Sequence, residues 1–165
     1  MFNWLALFVA ALIPLVVGFI WYHERVFGNA WMKASGVNPG NPGGAQMARI
    51  FGMTYFFSLL LAMMLQSIVI HQMHVMSILM NEPGIQDPNS EISKWLAEFM
   101  GKYGDNFRTF KHGAFHGILS GIFLALPILG INALFERRSA RYILLHAGYW
   151  IVTLALMGGV VCGWK

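Results

Sequence analysis

Four runs of apolar residues dominate this 165-residue chain, at about 2–22, 50–73, 112–135 and 142–164. A helix crosses the hydrocarbon core of a bilayer with about 20 predominantly apolar residues, pairing every backbone polar group within itself. All four runs meet that length, and together they use more than half of the chain. Composition points the same way: 57% of residues are hydrophobic and 11% are charged, where soluble domains carry about a quarter. The expected fold class is all-α, an integral membrane four-helix bundle forming one domain over residues 1–165. The spans leave no room for a separate soluble domain, and no nucleic-acid partner is expected. A signal peptide opens on basic residues and MFNW has none, so the first run is expected to stay as a span. The single cysteine, Cys162, excludes an intrachain disulfide and a multi-cysteine metal site.

The loops alternate between the two membrane faces. Loops one and three hold Arg25, Lys33, Arg49, Arg137, Arg138 and Arg141 against Glu24 and Glu136. Loop two holds Lys94, Lys102, Arg108 and Lys111 against Glu82, Asp87, Glu91, Glu98 and Asp105. Basic residues in short loops mark the cytoplasmic side. Loops one and three are therefore expected inside, with both termini and loop two outside.

Residues 35–46, SGVNPGNPGGAQ, read as a turn-rich loop. They follow no strand and lack P-loop spacing, so a phosphate-binding role is weakly indicated. In loop two, Ile92, Trp95, Leu96, Phe99, Met100 and Tyr103 recur at spacings of three and four. That periodicity predicts an amphipathic helix over about 88–103, capped by Asp87 or Ser90 and ending near Gly104. Glu91, Lys94, Glu98 and Lys102 share its other face, where they can pair and cancel. A neutral polar face gains little from anionic lipid, so the helix is expected over the outer mouth of the bundle or against a partner. Pro127 should kink the third span.

Lipid supplies no hydrophobic drive for helix association, so membrane helices pack through small residues. Gly113, Gly117, Gly121 and Ala125 form one such stripe, Ala6, Ala10 and Gly18 a second, and Ala155, Gly159 and Gly163 a third. The lipid bilayer is one expected partner. A second membrane protein or another copy of the chain is the other, which makes a non-enzymatic accessory or scaffold subunit the leading expectation.

Several local patterns carry a resemblance: GFIWY at 18–22, FGNAWM at 27–32, HGAFHG at 112–117, and NALFERRS at 132–139 followed by GYW at 148–150. Together they resemble a bacterial family of small four-span membrane proteins of unknown function. The resemblance implies the same membrane bundle, in a bacterial inner membrane. It implies no activity, ligand or catalytic residue.

The chemistry-bearing residues are histidines. Span two ends on the face where span three begins, which brings His71 and His74 to the same end as His112 and His116. Neutral imidazole binds zinc, copper, nickel and iron, and histidines from two helices can hold haem axially. Met73 and Met76 lie near and suit Cu(I). A transition metal or haem at these four histidines is therefore one expectation. Hydrogen bonding at a helix crossing and pH sensing are the others. His23 and His146 belong to the opposite face. Gln66 and Asn132 are intramembrane amides that could bond between helices or line a transport path. No serine, cysteine or acid constellation suggests catalysis.

Overall fold

A computed structural model of the chain describes residues 3–37, 40 and 43–165. Phe2 of the first expected span, and residues 38, 39, 41 and 42 of the turn-rich loop, lie outside the described residues. The architecture is all-helical, and four helical stretches are long and apolar enough to cross a membrane: Trp4–Trp21, Gly44–Val69, Phe110–Phe135 and Ala140–Gly163.

Span one is two helices, α1 (Trp4–Ala10) and α2 (Ile13–Trp21), separated at Ala11 and Leu12. Asn3 caps α1 by accepting from the Ala6 N–H at 3.1 Å. Pro14 sits in the first turn of α2, where a missing N–H costs least. A π-helical turn, Glu24–Gly28, leads into α3 (Asn29–Ser35), which Gly36 ends at φ 72°. Such a left-handed position suits glycine.

Helix α4 (Gly44–Val69) has 26 residues, a length of about 39 Å at 1.5 Å per residue. It begins ahead of the apolar run and outlasts a hydrocarbon core of about 30 Å. It stops at Ile70, which is extended at φ −110° and ψ 94°. Helix α5 (Gln72–Ile78) starts afresh with His71 as its cap residue. Helix α6 (Glu91–Tyr103) is the amphipathic helix, capped by Ser90, whose side chain accepts from the Ser93 N–H. Span three is α7 (Phe110–Ser120), a π-helical turn at Gly121–Ala125, and α8 (Leu126–Phe135). Pro127 lies just after the widened turn. Proline cannot donate to the turn before it, and a π turn is one way a helix absorbs that loss. Helix α9 (Ala140–Gly163), capped by Ser139, is span four.

Helix α9 packs on all three other spans. The core joins Leu7 and Ala10 of span one, Ala62, Leu65 and Val69 of span two, and Leu154, Met157, Val161 and Cys162 of span four, with Ile70 at the break. Span three adds glycines instead of large side chains. A methyl group at Gly113 would collide with the Gly158 carbonyl and the Cys162 Cβ, and one at Gly117 with the Leu154 carbonyl. At Gly121 it would lie 2.7 Å from the Ile151 Cα. On the facing helix, Gly159 lies under the Phe110 ring, and a methyl at Gly163 would come within 2.7 Å of the Phe110 backbone nitrogen. Each of these five glycines marks a close approach between spans three and four. Outward-facing Phe19, Phe123 and Phe135 stay largely exposed, as lipid-facing residues do.

Both ends of the bundle are tied together. At one end, Arg108 donates from Nε to the Cys162 carbonyl at 2.9 Å, and the Lys165 ammonium meets Asp105 at 3.1 Å. Loop two therefore shares an end with Asn3 and Lys165. At the other end, Arg138 donates to the Ser35 carbonyl at 2.9 Å, which joins loops three and one.

Candidate metal centre

The break at Ile70 sets up the centre. It takes His71 off the end of α4 and places it beside the first turns of α7. That helix begins where Phe107 reverses the chain at φ 61°. Thr109 then caps it by accepting from the His112 N–H at 3.2 Å. His112 and His116 lie one turn apart on α7. Gly113 and Gly117 occupy the neighbouring face and are pressed onto α9, so the histidine face is left for the end of span two.

Three imidazoles meet there. The Nε2 atoms of His71 and His112 are 2.9 Å apart, so one ring donates its N–H and the other accepts. Ring centroids are 5.0 Å apart for His71 and His112, 4.9 Å for His71 and His116, and 4.6 Å for His112 and His116. One ligand nitrogen from each ring lies within 4.8 Å of the other two. Zinc binds imidazole nitrogen at about 2.0–2.1 Å, so tetrahedral ligands sit about 3.3 Å apart. The three nitrogens thus lie within about 1.5 Å of the spacing a first-row metal needs. Burial, then the nearness of His112 and of His74, holds the His71 pKa below its ordinary value. That favours the neutral form a metal requires.

His74 is not brought into the cluster. It is exposed on α5, with its N–H on the His71 carbonyl. His71 stands at the break ahead of α5 as its cap residue, whereas His74 lies within α5. Among the described residues, no cysteine or carboxylate joins the three imidazoles. Haem fits poorly, because two axial imidazoles must leave a slot as wide as a porphyrin, and here a third ring packs against both. Met73 packs against the core and Met76 is exposed.

The remaining polar candidates are scattered. Gln66 is 2% exposed, with its Oε1 unpartnered, whereas Asn132 lies exposed on α8. His146 lies at the other end of the bundle, 3.0 Å through Nδ1 from the Tyr22 hydroxyl. Burial first, and then Tyr149 and Tyr142, push the Tyr22 phenol well above its ordinary pKa. His23 caps the π turn there, accepting from the Arg25 N–H. Trp21 donates to the Leu145 carbonyl at 3.2 Å and covers Gly148.

A helical chain with four membrane-length apolar helices and three convergent histidines at one end fits the multi-pass membrane proteins. The chain belongs to the family described as Protein of unknown function (DUF1761), which matches residues 5–162. No curated protein and no solved structure matches it.

Proposed function

We propose that this protein binds one transition-metal ion through His71, His112 and His116, as a small non-enzymatic multi-pass protein of a bacterial inner membrane. The observation that carries this reading is the convergence of three imidazole nitrogens within 4.8 Å from two separate chain segments. Uncharged rings at this spacing form a donor set suited to zinc, copper or nickel. Loops one and three are read as cytoplasmic from their basic residues, which puts the centre on the outer face. Elemental analysis and calorimetric titration of purified protein test the reading. One ion per chain is expected, with binding abolished in His112→Ala. Metal-free protein that takes up none of zinc, copper, nickel or cobalt would refute it.

A second reading is an accessory subunit, which the exposed part of the apolar face of α6, at Trp95 and Tyr103, favours. Trp95 is 49% exposed there and, among the described residues, stacks on Phe99 of its own helix. In this reading another membrane protein, or a second copy of the chain, covers that face. Blue-native electrophoresis after gentle solubilisation is the test, and a monomer with nothing co-purifying would count against it.

A further inference from the structure

A three-histidine set leaves a tetrahedral metal one ligand short. Closed structural sites fill all four positions with protein, whereas sites that bind or activate a small molecule keep one open. The group of His71, His112 and His116 contains no fourth histidine and no cysteine or carboxylate among the described residues. What borders it is a cleft.

That cleft, of about 460 Å³, lies between α5 and the end of α6. Its walls include His71, Gln72, Phe99, Tyr103 and Phe107. Two ties connect it to the histidines. His71 belongs to both, and Phe107, on the cleft wall, packs its ring 5.1 Å from the His112 ring. The cleft keeps its form because Gln72 donates from Nε2 to the Asn106 carbonyl at 2.8 Å, fastening α5 to the end of α6. Mostly apolar walls beside a cation hold water loosely and leave the metal as the strongest anchor for an anion.

We infer that the ion held by the three histidines keeps one coordination position for an exchangeable external ligand, water or a small anion, reached through the cleft between α5 and α6. This deepens the metal-binding reading and rests on it. The fourth ligand is not part of the chain. His74 stays outside the coordination sphere, although it is the nearest spare imidazole.

Cobalt(II) added to the detergent-purified full chain tests this, because its visible bands report coordination number and ligand exchange. The expected result is a one-to-one cobalt spectrum that changes saturably on adding azide, with His74→Ala behaving as the unaltered protein does. Cobalt binding with no response to azide would overturn the open position while leaving the metal site intact. If His74→Ala then gained an azide response, His74 would be the fourth ligand. Failure to take up cobalt or any of zinc, copper and nickel, in protein that still runs as a folded species, would overturn both this inference and the metal-binding reading.

Discussion

Gly113 and Gly158 meet backbone to backbone, each placed so that a Cβ on one would strike the carbonyl of the other. This contact lies beside His112, so the close approach of α7 to α9 there also sets where the histidine face points. Gly117→Ala should destabilise the bundle by about 1–3 kcal/mol through overpacking. Gly52→Ala is the control, since nothing lies within 4 Å of that glycine's added methyl. It should be neutral or stabilising by up to about 1 kcal/mol, the helix-propensity difference. Unfolding titrations in mixed micelles would measure both.

Removing one imidazole should weaken metal binding more than the removal of an outer hydrogen-bond partner, hence by more than about 100-fold. His71→Ala, His112→Ala and His116→Ala should behave alike, and His74→Ala should bind as the unaltered chain does. Competition against a chelator of known affinity would separate them.

Acid should release the ion and lower stability together. The folded His71 pKa lies below its ordinary value, so the unfolded chain takes up a proton first as pH falls. The stability linked to His71 is therefore present above the ordinary value of about 6.5 and is lost as pH falls through the lowered one. Thermal unfolding of metal-free protein should decline over that range, and less steeply in His71→Gln. Zinc affinity should fall as pH drops through the lowered value, because protons then compete for the same nitrogens.

Cysteines introduced singly into Cys162→Ser protein should sort by end. Positions 74 and 106 should share one accessibility to an impermeant maleimide in intact cells, and positions 23 and 137 the opposite one. The positive-inside reading predicts labelling of the first pair from outside. Positions 74 and 137 labelled from the same side would contradict the bundle itself.

Freeing α6 should leave metal binding intact. Gln72→Ala removes the donor to the Tyr103 and Asn106 carbonyls. Amide exchange in residues 91–106 should rise several-fold while zinc stoichiometry stays unchanged.

Much of this was legible in the sequence because length and polarity decide what lipid will accept. The apolar runs announce the four long helices, and the Ser90 cap and three–four spacing announce α6. The glycine stripes identify the close contacts between spans three and four, since few other residues let membrane backbones touch. The meeting of His71 with His112 and His116 follows from antiparallel neighbours sharing an end. Other features needed coordinates. The break at Ile70 lies within an apolar run that gives no stop signal, so His74 reads as equivalent to His71 until α5 turns it away. The division of span one at Ala11 and Leu12, just ahead of Pro14, is likewise a backbone matter. The charges on α6 have the spacing to pair, yet none is within ion-pair distance of another. Exposed pairs return too little to hold long side chains in place.

The break after Val69 gives the three nitrogens unequal footings. Two ride on one stiff rod that is pinned to its neighbour by glycines, and the third stands on a short element past a bend. An ion gripped by all three would act as a cross-brace, clamping the far side of that bend to the rod and steadying the segment that leads out toward residue 90.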